Sequence, residues 1–359
     1  MLNIFGFNIT YFQIAATVLG IGLLVFIHEL GHFIMAKLYG IRVEKFAFGF
    51  GPELIGFTYG ETRYSICAIP LGGMVKMPGE DADSASGSPD EFLSQAWHRR
   101  LFLALMGPVM NYLLAVVLFA SVIYFWGFSK PSDTPEIGAV VEGYPAQKAG
   151  VLKGDIIVSI NGAGVSSWLQ MSEIVHSNPG KPAVFEVLRG SSKIILKISP
   201  LKDPVSGKGL IGISPKLTVQ KAGMADSLIY GAKITVYQSV FTLKYLGEKL
   251  IKWEKPEIAG PVGVIQILAT AAKTGWDNLL YILGVISTAL GLFNLLPIPL
   301  LDGGHIFMAL IQAVTRRPLN KKMIIAANYA GLAVILAIFL FATYSDIVRV
   351  AFSFAAKAQ

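Results

Sequence analysis

The stretch VFIHELGHFIMAKLYG, residues Val25 to Gly40, sets two histidines four positions apart at the end of a long apolar run. On a helix that spacing puts both imidazoles on one face, where they can share a metal ion. Neutral imidazole suits Zn2+, and Glu29 beside it is placed to take a proton from a metal-activated water. The apolar run that carries the motif, from about Tyr11 to Ala36, is long enough to cross a bilayer. Ionisable side chains are costly at that depth, so His28, Glu29 and His32 read as a functional site.

Composition agrees with a membrane protein. The chain has 359 residues, 53% hydrophobic and only 15% charged, where soluble domains carry about 25% charged residues; its mean hydropathy is +0.58. Three further runs can span: about Leu101 to Trp126, Leu279 to Leu301 and Met323 to Phe341. No Lys or Arg precedes the first run, so it does not read as a cleavable leader. The net charge of +7 is spread without a basic tract, so no nucleic-acid partner is expected. A single cysteine, Cys67, excludes an internal disulfide and a multi-thiolate zinc site. Lys37, Arg42, Lys45, Arg99, Arg100, Arg316, Arg317, Lys321 and Lys322 flank the span ends that the positive-inside rule puts in the cytoplasm. Both termini and the region from about Gly127 to Asn278 are then expected outside.

Two histidines leave a catalytic zinc one protein ligand short. The third apolar run ends GLFNLLPIPLLDGGHIF, Gly291 to Phe307, and Asp302 is its lone carboxylate, expected at the depth of His28. As a hard oxygen ligand it would complete a His-His-Asp set; otherwise it is an interfacial helix cap. Pro297 and Pro299 interrupt regular helix, and Gly303-Gly304 permit close backbone approach. Irregular backbone at membrane depth is tolerated where it is buried in protein or lines a wet cavity. Asn294 can hydrogen-bond either a substrate backbone or a neighbouring helix. His305 either supports a ligand or sits at the interface.

The segments between spans are of three kinds. Gly40 to Arg100 is too polar to cross, and YSICAIPLGGMVKMPGE, Tyr64 to Glu80, reads as a hairpin broken by Pro and Gly. The acidic EDADSASGSPDEF that follows reads as a solvated linker. Residues 128–218 carry short β-type runs, a tight turn at Asn161-Gly162 and a helix from Trp168 to His176, which together read as an inserted soluble domain. Farther on, Lys244, Glu248, Lys252 and Lys255 are expected on one face of an amphipathic helix lying on the membrane.

His28-Glu29-Leu30-Gly31-His32 and the pattern from Asn294 through Pro297, Pro299 and Asp302-Gly303-Gly304 to His305 resemble the paired signatures of the site-2 proteases, a family of intramembrane zinc metalloproteases. FAFGFGPEL, from Phe46, and GPVMNYLLAV, from Gly107, are similar to that family as well. The layout resembles its bacterial RseP/RasP type in a single-PDZ form, since the run from Pro145 to Asp155 looks like a PDZ turn and short helix. The resemblance implies a polytopic α-helical membrane protein of about four spans, with a membrane-associated β-hairpin and an inserted α+β PDZ domain. Its parts would be a first membrane half (1–127), the PDZ domain (128–218), surface helices with a GPVG segment (219–277) and a second membrane half (278–359).

By the same resemblance one Zn2+ per chain is held by His28, His32 and Asp302, and Glu29 activates water. Substrate would be gripped by Asn294, Pro297, Pro299 and the hairpin strand with Gly72, Gly73, Met74 and Val75. A substrate helix hides its amides, so it must unwind and can then pair with a strand edge. The expected substrates are single-pass membrane proteins, already shortened by an upstream site-1 protease, such as anti-sigma factors, and signal-peptide remnants. The expected location is the bacterial inner membrane. The PDZ unit would contact or exclude substrate outer domains, with Ile137 to Val141 as its strand-receiving edge. Two rival classes are a membrane-anchored scaffold with a structural metal and a metal-ion transporter. Glu29 argues against the first, and the clustering of ionisable residues at one depth argues against the second.

Overall fold

The computed structural model describes residues 2–4, 7–80, 86–204, 206–256, 259–317 and 320–357. The chain divides into two compact units, one of residues 1–125 with 223–359 and one of residues 126–222. The first unit opens with β1 (Leu2–Ile4) and β2 (Phe7–Ile9), then α1 (Tyr11–Leu38), whose start is fixed by a capping box between Thr10 and Gln13. Next come β3 (Lys45–Tyr59), β4 (Thr62–Lys76) and α2 (Trp97–Trp126).

The second unit contains β5 (Phe128–Pro131), β6 (Ile137–Val140), α3 (Pro145–Lys148), β7 (Ile156–Ile160), β8 (Ala163–Gly164) and α4 (Trp168–His176). It continues with β9 (Ala183–Arg189), β10 (Ser192–Ile198), β11 (Leu201–Lys202), β12 (Gly209–Leu210), β13 (Ile213–Pro215) and β14 (Leu217–Gln220). The first unit then resumes with α5 (Met224–Ile251), α6 (Pro261–Thr274), α7 (Trp276–Asn294), α8 (Asp302–Thr315) and α9 (Lys321–Lys357).

Among the described residues, four helices are long and apolar enough to cross a membrane: α1, α2, α7 and residues 321–349 of α9. The third span differs from the sequence expectation. It ends at Asn294, because Pro297 and Pro299 cannot continue a helix, and Asp302 begins the separate helix α8 instead of closing the span. The linking turn is tight, with Ile298 N–H donating to Leu296 O and Gly304 N–H to Leu301 O. A Cβ on Gly303 would run into Leu295 and Leu296 carbonyls, so only glycine lets α8 start there.

The hairpin also differs. Tyr64–Lys76 is not two strands but part of one bent strand, and its partner is β3, seventeen residues further back at its start. β3 and β4 each fold over so that four segments form one sheet. In spatial order they are 55–59, 62–66, 45–48 and 73–76: Phe46 pairs with Tyr64 on one side and Val75 on the other, and Tyr59 pairs with Thr62 at the turn. Segment 73–76 is therefore an edge. Phe33 stacks on Phe46 with centroids 4.6 Å apart, and Phe26 stacks there at 5.1 Å, which fixes the sheet against α1.

The acidic stretch from Glu80 is more than a solvated linker. Residues 81–85 lie outside the described residues, but Glu91 is buried and accepts hydrogen bonds from Ser86 and Gly87. Phe92 packs in the core beside Val75 and Met77. The charge stripe on α5 is shorter than expected. Lys244 and Glu248 pair, but Lys252 is the helix cap, and Lys255 lies beyond it with its ammonium over the Phe341 ring. Ser227, Gly231 and Thr235 are the buried side of α5, and Gly231 meets Val116 and Ala120 of α2.

The second unit is built on the sheet β10-β9-β7-β8, covered by α4 around Ile137, Ile157, Met171, Phe185 and Val187. Asn161 and Gly162 both have positive φ at the β7–β8 turn, as a two-residue hairpin requires. The edge expected at Ile137–Val141 is taken up at its first residue. β6 pairs with β13, and Ile137 exchanges backbone hydrogen bonds with Gly154 and Asp155 on its other side. A groove of about 230 Å³ lies elsewhere, between α4 and Gly209–Ile213, lined by Tyr144, Trp168, Met171 and Val175.

Candidate metal centre

α1 and α2 approach closely where small residues meet. A Cβ on Gly31 would strike the Met106 backbone, and one on Gly107 would strike the His32 and His28 rings. Glycine at both points lets the histidines lie between the helices. Both are buried. His28 Nε2 and His32 Nε2 are 3.2 Å apart. Asp302, in the first turn of α8, places Oδ2 3.0 Å from His28 Nε2 and Oδ1 3.3 Å from His32 Nε2.

Three donors bound tetrahedrally to zinc at about 2.0–2.1 Å would stand roughly 3.3 Å apart. The observed triangle has close to the edge lengths of one face of that tetrahedron. Asp302 Oδ2, although near His28, is buried without a well-formed hydrogen bond. A cation would satisfy it, whereas an empty apolar site would leave it costly. Residue types and spacing therefore both fit zinc.

Each histidine is held from behind by α2. Leu103 O lies 2.9 Å from His32 Nδ1, and the Asn111 carboxamide lies 3.1 Å from His28 Nδ1. Such contacts fix ring orientation and leave Nε2 for the metal. Glu29 Oε2 accepts the Val75 N–H at 3.2 Å, so the edge strand steadies the carboxylate beside the ligands. Gly73 makes this possible, since a Cβ there would lie 3.0 Å from Phe26 Cα and 3.1 Å from Glu29 Cγ.

A cavity of about 300 Å³ opens on this group, and its walls include Glu29, Val75, Asn294 and His305 together with His28, His32 and Asp302. His305 packs edge-on to Phe92 with centroids 5.6 Å apart. Gly72, Gly73 and Met74 share the strand with Val75 but do not line the cavity. Gly72 lies against Phe50 and Val25. Pro297 and Pro299 do not line it either; Pro299 packs beneath Gly304 and Gly331. Sequence reasoning marked the run GPVMNYLLAV as similar to the family but gave no role to Gly107 or Asn111 within it, and none to Leu103. The available signal was an asparagine in an otherwise apolar helix, four residues after a glycine.

Comparison with known proteins agrees with this geometry. Residues 16–338 match the model of Peptidase family M50. A protein of Clostridium acetobutylicum with a provisional zinc-metalloprotease name is 36% identical, over 94% of this chain and 98% of its own length. The zinc metalloprotease RasP of Bacillus licheniformis is 28% identical, over 94% of this chain and 99% of its own length. The PDZ domain of an SdrC-like protein of Listeria monocytogenes aligns with 24% of this chain and 93% of that domain, at 22% identity and a TM-score of 0.21. With a family model covering most of its length and its ligand triangle inside that span, the chain belongs to peptidase family M50.

Proposed function

We propose that this peptidase is a zinc endopeptidase that hydrolyses peptide bonds in or near the membrane-spanning segments of single-pass membrane proteins. The observation that carries the reading is the His28, His32 and Asp302 triangle, set between candidate spans in a cavity it shares with Glu29 and the Val75 edge. Zinc held there supplies Lewis-acid polarisation of the scissile carbonyl and lowers the pKa of water toward neutrality. Glu29 takes the proton of the attacking water and passes it to the leaving amine. Asn294 and the 73–76 strand edge hold the unwound substrate backbone, while the Val75 N–H stays on Glu29. Leu24, Leu118, Leu283 and their neighbours form an apolar cluster in the same unit.

The expected substrates are proteins trimmed first by another protease, among them anti-sigma factors and signal-peptide remnants. The second unit is read as a PDZ-type module that contacts or excludes their outer parts, through the groove beside α4. The chain is placed in the bacterial inner membrane with both termini and this module outside, on the strength of the basic residues at its span ends. The test is Glu29→Gln. The variant keeps bound zinc and stops cutting a co-expressed single-pass substrate; cleavage at the normal rate would sink the reading.

A further inference from the structure

α2 addresses both histidines from one face, with Leu103, Gly107 and Asn111 at steps of four. Leu103 O can only accept, so His32 Nδ1 carries its proton. Asn111 stands in the same relation to His28. His28 Nε2 faces His32 and Asp302, so its Nδ1 must also carry a proton when a metal is bound, and it needs an acceptor.

A carboxamide is nearly symmetric in shape, and its two ends are told apart by their partners. With Nδ2 toward His28, two donors face each other, and Asn111 Oδ1 is buried without a partner. A half-turn of the amide removes the first of these faults. Oδ1 then accepts from His28 Nδ1, and Nδ2 takes the position of the orphaned oxygen. Asn111 is among the residues around the cavity, and this N–H2, standing where Oδ1 is buried without a partner, is a donor in want of an acceptor. Ser287 Oγ donates to Asn111 O at 2.8 Å, which ties this point of α2 to α7 and keeps the side chain in place.

We infer that Asn111 has two roles, on the reading of this chain as a zinc peptidase. Its amide oxygen positions His28 for the metal, and its amide nitrogen offers a hydrogen bond to a carbonyl oxygen of the substrate. An unwound substrate has carbonyls without helix partners, which in a buried site are expensive to leave unpaired. A donor already fixed on its far side meets such an oxygen with little reorganisation.

Two variants separate the roles in the full chain purified in detergent. Asn111→Leu removes acceptor and donor; Asn111→Asp keeps an acceptor for His28 and loses the donor. The zinc dissociation constant is measured by chelator competition, and cleavage of a single-pass substrate is measured with zinc saturating. Asn111→Leu is expected to weaken zinc binding about 10- to 100-fold. Asn111→Asp is expected to hold zinc within about threefold of wild type, because a carboxylate serves the same histidine. Both are expected to lose about tenfold or more in kcat at saturating zinc. The visible spectrum of the Co2+-loaded protein should change for Leu and stay for Asp.

Wild-type zinc affinity in Asn111→Leu would overturn the positioning role, and wild-type turnover in Asn111→Asp would overturn the donor role. If the Leu variant does not fold, the Asp variant decides alone: retained zinc with lost turnover supports the inference, and any other pairing overturns it. A wild-type chain that binds zinc but cuts nothing would instead bring down the peptidase reading itself.

Discussion

At the scale of single residues, the site depends as much on what is missing as on its ligands. Gly107 has no side chain where one would occupy the space of both imidazoles. Gly107→Val should displace at least one ring and cost zinc affinity about 10-fold or more, with Gly107→Ala following in the same direction. Metal content after dialysis against a weak chelator reports it; full occupancy in the Val variant would show that α2 can retreat. Asp302→Ala should leave no bound zinc under the same dialysis, since two imidazoles alone make a poor site. Spacing, type and depth predicted that His28, Glu29, His32 and Asp302 would meet, and the structure brings them together around one cavity. Asn111 was not legible, because a lone asparagine in an apolar helix reads equally as a helix–helix hydrogen bond until its partner is known.

At the scale of elements, the misread feature is β4. Pro70, Gly72 and Gly73 look like turn residues in a sequence, yet they lie inside one strand. Proline is tolerated there because the strand changes partner nearby, from the β3 segment that ends at Ile55 to the one that ends at Phe48. The true turn, at Gly60-Glu61, has an equally ordinary signature. Pairing across two bends is non-local, and no single stretch encodes it. The consequence is that Val75 N–H points at Glu29 and not at a partner strand. Val75→Pro removes that donor and should lower cleavage about tenfold while leaving zinc in place. Loss of zinc in parallel would mean that the strand supports the fold around α1 and not the carboxylate. α8 makes a similar point: the two prolines predicted a break, but not that the chain would restart as a helix whose first turn carries Asp302 to the two histidines.

At the scale of the molecule, neither groove was legible in the sequence, but a polar, turn-rich stretch cannot lie at membrane depth among apolar spans, and residues 126–222 form a compact unit of their own. The residues 126–222 have their own core, and their stability should titrate on its own. Asp155 is buried, accepts from Arg189 Nε and Nη2 at 2.8 Å each and from Leu152 N–H at 2.8 Å. Burial alone would raise its carboxyl, but the Arg189 hydrogen bonds and the Leu152 amide outweigh it and hold it below the usual carboxylate range. A depressed folded-state pKa stabilises the fold fully above the unfolded value, near about 3.9, and is lost as pH falls through the folded value. Hydrogen exchange on the full chain should therefore show amides of β7 and β9 losing protection below about pH 4, as one cooperative group. Asp155→Asn should remove this acid step and lower the unit's stability at neutral pH by on the order of 2 kcal/mol. That is less than for a wholly buried pair, because Arg189 is one-third exposed. An acid step unchanged in Asp155→Asn would assign it to other carboxylates.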